Sequence, residues 1–355
     1  MMKALRILCL VSAASMVATG ALAQGAKKPK IVIVATGGTI AGAAATQTEA
    51  GYKSGAVGVD ILIQAVPQLK DIAVITGEQV ASIGSQDMND EVWLKLATRV
   101  NALLATPDVD GIAITHGTDT LEETAYFMQL VVKSDKPVVM TGSMRPSTAM
   151  SADGPLNIYN AVAIAADPTA RGRGVLVAID DDVHSAHDII KTHTTDVATF
   201  SSGEAGLVGA VLFGSTIWYR SPAQVHTKAS DLGIGDGKSL PRVDIIYAHA
   251  NMSPDVITDA AKNGAKGLVI AGVGDGNMTA PALEAVKKVI AQKVVVVRSS
   301  RVNGGIVRRN IEVNDDQIGT VASMELNPSK ARVLLQLALM KSSDPKKVQD
   351  YFNRY

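Results

Sequence analysis

Cysteine is almost absent: one residue in 355, Cys9. Disulfides therefore cannot hold this chain together, and a thiol nucleophile is excluded if the N-terminus is removed. Aromatic residues make up only 4%, so the interior has to be assembled mainly from Val, Ile, Leu and Ala. A charge excess is missing as well, with Lys+Arg and Asp+Glu at 34 each. Proteins that bind nucleic acid usually carry a basic surplus that neutralises phosphates, so nucleic acid is not an expected partner. Beyond the N-terminus no run is long and apolar enough for the roughly 20-residue span of a bilayer, so no membrane partner is expected. What the chain has is 47% hydrophobic residues against 19% charged, the balance of a packed protein rather than a disordered one. Its length suits two domains of ordinary size.

The N-terminus reads as a targeting segment. Lys3 and Arg6 give a positive start, Ile7 to Val17 is mostly apolar, and Ala21-Leu22-Ala23 is a small-residue cleavage signal before Gln24. Residues 1–23 are expected to be a signal peptide cut after Ala23, which predicts a periplasmic or secreted product. Cys9 lies inside the apolar stretch without a lipobox, so a lipid anchor is not expected. Without disulfides, stability must come from packing or oligomerisation.

The remainder alternates between two patterns. Apolar runs at 30–35, 111–115, 137–141 and 174–179 are Val- and Ile-rich and bounded by Gly, Pro or polar residues, as in parallel strands covered on both faces. Helical spacing appears over 89–104, 119–132 and 154–166. Residues 215–240 break the rhythm with Ser221-Pro222 and a glycine-rich stretch, and read as a linker. The alternation resumes with strands at 243–249, 267–271 and 294–298 and helices at 280–291 and 328–340. Asn327-Pro328 supplies a cap and a first-turn proline for the last of these. The expectation is an α/β fold of two domains with mainly parallel sheets, larger over 30–214 and smaller over 241–355.

Ligands of such sheets gather in loops at the carboxyl ends of strands. Four places qualify. Ala35-Thr36-Gly37-Gly38-Thr39-Ile40-Ala41-Gly42 follows the first strand; its glycines permit a tight turn and close backbone approach, and its threonines bring hydroxyls. That loop holds no phosphate-binding glycine pattern. Thr115-His116-Gly117-Thr118-Asp119-Thr120 follows another strand. Asp119 either caps the following helix, with Glu122 and Glu123 in its first turn, or faces a ligand together with Thr118. Ser85 and Gln86 sit in a third loop. Lys191 is either a solvated surface charge or a group that acts on a nearby hydroxyl. His116, His184, His187 and His193 show no metal-ligand spacing, so neither metal nor cofactor is expected. No Gly-x-Ser-x-Gly elbow is present, and a mature chain without cysteine leaves threonine or serine as the nucleophile of any covalent catalysis.

The two threonine motifs at their mutual spacing, with Met144-Arg145-Pro146-Ser147, the run from Met150 to Gly154 and Thr194-Thr195-Asp196, resemble the bacterial type II L-asparaginases from about Lys30 to Tyr355. The resemblance implies hydrolysis of L-asparagine to L-aspartate and ammonia through an acyl-enzyme, with lesser activity on L-glutamine. Thr39 matches the nucleophile, Tyr52 the tyrosine that assists it, and 42–52 the lid over the substrate. Glu312 matches a glutamate that supports that tyrosine and the substrate amine. Thr118, Asp119 and Lys191 match a second triad. Ser85 and Gln86 match residues that hold the substrate's carboxylate and amine. The family is usually a homotetramer in which a neighbouring subunit completes the site, and here Asn277 and Glu312 would be the residues lent. Asn277, where relatives that use glutamine well carry Ser, leans towards asparagine. A broad glutaminase-asparaginase shares the same residues and differs in relative kcat/KM. A periplasmic amino-acid-binding protein would share the leader and the two domains but would release no ammonia.

Overall fold

The computed structural model describes residues 27–48, 51–237 and 239–355. The proposed leader, residues 1–23, lies outside the described residues.

The first domain is built on an eight-stranded sheet. Its strands are β1 (Lys30–Gly37), β2 (Val74–Ile83), β3 (Gly111–Thr115), β4 (Val138–Thr141), β5 (Val175–Ile179), β6 (Asp182–Ser185), β7 (Gly209–Leu212) and β8 (Ser215–Trp218). They lie in the order β8-β7-β6-β5-β4-β3-β1-β2. From β5 to β2 every pairing is parallel. The last three strands extend the sheet antiparallel. β1, β3, β4 and β5 are buried over nearly their whole length because helices cover both faces, which is why they read as unbroken apolar runs. β2 is an edge strand of mixed apolar and polar sequence, with only Val80 buried.

The linker expected over 215–240 begins too early. Ser215–Trp218 is the outermost strand of the sheet, closed onto β7 by the two-residue turn Phe213-Gly214. Ser-Thr-Ile-Trp at a sheet edge, with no residue buried, is too short and too exposed to show an apolar pattern, so this strand is silent in the sequence. The chain between β8 and the second domain is not loose either. Leu232 is fully buried, and Lys133 donates to the carbonyls of Ser230 (2.7 Å) and Leu232.

Helices α1 (Asp90–Ala105), α2 (Leu121–Val131) and α3 (Gly154–Ala166) cover this sheet. α1 starts where Asn89 accepts the N–H of Val92 at 3.1 Å. The second domain is a four-stranded, wholly parallel sheet in chain order, β9 (Val243–Tyr247), β10 (Gly267–Gly272), β11 (Val295–Ser300) and β12 (Val321–Ala322). Helices α4 (Asp255–Lys262) and α5 (Ala280–Ala291) pack on one face; α6 (Pro328–Leu339) and α7 (Pro345–Arg354) complete the chain. α6 is buried almost all round, since it serves both domains: Val333, Leu334 and Leu337 join one hydrophobic cluster with Tyr126 and Phe127 of α2 and Val269 of β10. The Tyr126 hydroxyl donates to the Tyr355 carbonyl at 2.8 Å inside that cluster.

Candidate active site

β3, β1 and β2 are neighbours, and the chain runs from β1 to β2 on one side and continues through β3, β4 and β5 on the other. That reversal of strand order opens a crevice at the carboxyl ends, where loops diverge. The three loops singled out from sequence leave the three strands there.

Glycine brings two of them into contact. A Cβ on Gly38 would lie 2.3 Å from both Cα and N of Gly117, and Gly38 has φ +81°. Only glycine permits that backbone crossing, and each glycine is followed by a threonine. Thr39 and Thr118 are thereby held side by side, 7% and 4% exposed. Thr39 opens a 3-10 turn over Thr39–Ala41, and Thr118 opens another over Thr118–Thr120. Ser85 joins from the third loop. Its hydroxyl accepts the N–H of Asp119 at 3.1 Å, and its carbonyl accepts the Thr120 hydroxyl at 2.8 Å.

Lys191 belongs to the short strand Ile190–Lys191, paired antiparallel with Phe200–Ser201. Its ammonium donates to the Thr118 hydroxyl at 3.0 Å and to the Asp119 carboxylate at 2.6 Å. Its side chain is 16% exposed, that of Asp119 60%. The capping alternative for Asp119 does not hold: the cap of α2 is Thr120, whose side chain makes no capping bond, and the Asp119 carboxylate is turned to Lys191. Lys191 is correspondingly not a solvated surface charge.

His116, fully buried between the motifs, holds the Gly117 carbonyl at 2.7 Å through Nδ1. Burial pushes its pKa down to about 4, so it is neutral and Nδ1 carries the proton. The Gly38 N–H donates to Ile83 O at 2.8 Å and is not open to a ligand's oxyanion.

The segment matching a lid is a hairpin in which Ala43 and Ala44 pair with Lys53 and Tyr52. It is docked on the loop after β4: the Ser147 hydroxyl donates to Gly42 O at 2.7 Å, and Ala44 N–H donates to the Thr148 hydroxyl at 2.9 Å. Residues 49 and 50 lie outside the described residues.

Three predicted residues are not brought into this cluster within one chain. Gln86 is exposed and folds back over Gly84, where a Cβ would meet its amide at 2.4 Å. Asn277 forms a tight turn of the second domain, exchanging backbone bonds of 2.8 Å with Val273, and Glu312 is exposed on another loop of that domain. Among the described residues no hydrogen bond joins either side chain to Thr39, Thr118 or Lys191. Sequence reasoning also passes over Glu122, Asn327 and Lys330. It takes Glu122 as first-turn helix chemistry and Asn327 as a cap, which it is. That all three converge on the Lys191 segment has no sequence signal, because they come from two domains.

Buried threonines, a lysine and a carboxylate thus meet in the crevice of a parallel sheet, the kind of set in which a hydroxyl can be activated as a nucleophile. Residues 30–224 match the model for the N-terminal domain of asparaginase, and 242–352 that for the glutaminase/asparaginase C-terminal domain. A probable periplasmic L-asparaginase of Haemophilus influenzae is 51% identical over 94% of this chain and 95% of its own. L-asparaginase 2 of Escherichia coli is 51% identical over 92% and 93%, and a glutaminase-asparaginase of Pseudomonas fluorescens 47% over 93% and 91%. The crystal structure of a probable cytoplasmic L-asparaginase from Campylobacter jejuni superposes with a TM-score of 0.90 at 46% identity, covering 92% of this chain and all of that one. The chain belongs to the asparaginase/glutaminase family of amidohydrolases.

Proposed function

We propose that this enzyme hydrolyses the side-chain amide of L-asparagine, and L-glutamine more slowly, using Thr39 as nucleophile. The observation that carries the reading is the Lys191 ammonium, bonded at once to Thr118 and Asp119, beside a Thr39 fixed by the Gly38–Gly117 crossing. The Thr39 hydroxyl attacks the amide carbon, and its proton passes, with Tyr52 assisting, to the leaving amide nitrogen; the tetrahedral oxyanion that forms takes the Thr118 N–H as a donor. Collapse breaks the C–N bond, and ammonia leaves with a proton. Water then attacks the acyl ester, releasing aspartate and restoring the hydroxyl. Thr118, Lys191 and Asp119 form the route by which protons move at this site, and Tyr52, on the hairpin that follows Thr39, assists Thr39. Asp119, Ser85 and Gln86 receive the substrate's ammonium and carboxylate, Gln86 by turning off Gly84.

Asn277 and Glu312 act in the site of a neighbouring copy within a homotetramer. Their separation from Thr39 within one chain supports this, as do the exposed apolar residues Val302, Ile306 and Ile311 on the approach to Glu312. The product is exported and cut after Ala23; the Ala-x-Ala signal and the relative named periplasmic support this.

The test is ammonia release by the mature chain from Gln24 onward, with both amides side by side. The expected result is faster release from asparagine; comparable rates would make it a broad glutaminase-asparaginase. Thr39→Ala and Thr118→Val are expected to fold and lose turnover, and near-full activity of Thr39→Ala would remove the assigned nucleophile. Light scattering decides the tetramer, and the mass of the exported chain decides the cleavage site.

A further inference from the structure

Lys191 has to be held by something other than its own strand. Ile190–Lys191 is two residues long with a two-residue partner, too little ladder to fix a side chain. Two bonds from outside do so. The Lys191 N–H donates to Oε2 of Glu122 at 2.8 Å. Glu122 stands in the first turn of α2, directly after the turn that presents Thr118 and Asp119. Its other oxygen, Oε1, accepts the side-chain amide of Asn327 at 2.9 Å, and Asn327 caps α6 of the second domain. One turn further on, Lys330 of α6 reaches into the first domain and donates to the carbonyls of His187 and Ile189, each at 2.6 Å. The first turn of α6 thus grips the segment 187–191 from two sides.

We propose that Glu122 and Lys330 are positioning residues for Lys191, through which the second domain sets the distance between its ammonium and the Thr118 hydroxyl. The proposal rests on the catalytic reading of Thr118 and Lys191. The chemistry of Lys330 supports it. The side chain is 2% exposed, and its burial pushes the pKa down to about 8, with the charges of Glu122 and Asp188 acting the other way. An apolar residue would pack there without that penalty. What the ammonium adds is a fixed location for two carbonyls next to Ile190 and Lys191. Glu122 adds a common anchor for the turn bearing Thr118 and the strand bearing Lys191, so both ends of the 3.0 Å bond are referred to one carboxylate.

The experiment compares Glu122→Ala, Glu122→Gln and Lys330→Met with the wild-type oligomer, and Lys191→Met as a control. An error of about 1 Å at a catalytic group can lower a rate roughly a hundredfold. Glu122→Ala is expected to lower kcat on asparagine between about tenfold and a hundredfold, with KM changed by less than about threefold. The alkaline limb of its kcat–pH profile is expected to move. Glu122→Gln keeps one acceptor and should fall between; Lys330→Met should go the same way. Circular dichroism and oligomer mass normalise each rate to folded enzyme, and if Glu122→Ala does not fold, the other two variants carry the test. Wild-type kcat and pH profile in folded Glu122→Gln and Lys330→Met, whatever their melting temperatures, would overturn the positioning role. Full activity of Lys191→Met would instead overturn the catalytic reading on which it rests.

Discussion

Replacing Arg298 with methionine should cost the enzyme about 4 kcal/mol at neutral pH, with the loss shrinking in acid. Arg298 and Asp315 are both 0% exposed and form a bidentate pair at 2.7 and 2.8 Å. Asp315 also accepts the Asn310 N–H at 2.8 Å and the Thr320 hydroxyl. Burial alone would push its carboxyl up. The bonds from Arg298, Asn310 and Thr320, together with the guanidinium's charge, hold it below the ordinary 3.8. Without Arg298 the carboxylate is a buried lone charge, typically a 3–5 kcal/mol loss. Protonation sets a ceiling: neutralising an aspartate of ordinary pKa 3.8 at pH 7 costs about 4 kcal/mol, and at pH 5 about 2 kcal/mol. In the wild type this carboxylate's stabilisation is complete above pH 3.8 and fades only as pH falls through its lowered folded value. In the variant the penalty is largest at pH 7 and falls as the pH drops towards the aspartate's own range. Urea unfolding at pH 7 and pH 5, at one protein concentration because association shifts apparent stability, measures both numbers. A loss under about 1 kcal/mol at pH 7, or an equal loss at the two pH values, would refute the argument. Arg298 also donates to the carbonyls of Asp275, Gly276 and Arg308 at 3.1, 3.4 and 3.2 Å, beside the turn of Asn277 and on the loop that leads to Glu312. The variant should therefore lose turnover beyond its loss of folded protein.

Gly38→Ala forces a Cβ into Gly117 and is expected to reduce ammonia release about a hundredfold, as Thr39 and Thr118 are driven apart. Gly58→Ala, with open space around it, should be indistinguishable from wild type in the same assay. Phe213 occupies a left-handed turn position (φ +48°) while 79% exposed, so Phe213→Asn should raise the free energy of unfolding by about 1 kcal/mol of relieved strain, read as a higher urea midpoint. A lowered midpoint would mean that the ring makes contacts worth more than the strain. Burial, then the charge of Lys330, pushes His184 down to about 4, whereas the unfolded residue titrates near 6.5. Between those values the unfolded chain holds the extra proton, so stability falls with falling pH by up to about 1.4 kcal/mol per unit for this group. His184→Leu should flatten the stability–pH slope between pH 6 and 4.5 by that amount, and an unchanged slope would show that His184 titrates normally.

The sequence by itself determined the layered architecture. β3 and α3 fall at the residues that apolar runs and helical spacing mark, and Asn327-Pro328 begins α6 as cap and first-turn residue. Strands buried on both faces have no choice of composition, and helix starts are decided by a few neighbouring residues, so both are written locally. The threonine loops were legible for a similar reason: Gly37-Gly38 and Gly117 stand where strands end and permit close backbone approach. The edge strand β8 left no comparable trace, since a half-exposed strand needs no unbroken apolar pattern, whereas α4 and α7 carry short apolar stripes at helical spacing (Val256, Ile257, Ala260; Val348, Tyr351, Phe352) that are easily passed over. Only the tertiary structure decided what the polar residues do. Asp119 and Glu122 are equally good helix-start residues on paper. One turns to the Lys191 ammonium, while the other takes the Lys191 amide and ties it to Asn327. The direction of a flexible polar side chain is set by partners far away in sequence, 205 positions for Glu122 and Asn327, and such partners exist only once two domains have packed around one helix.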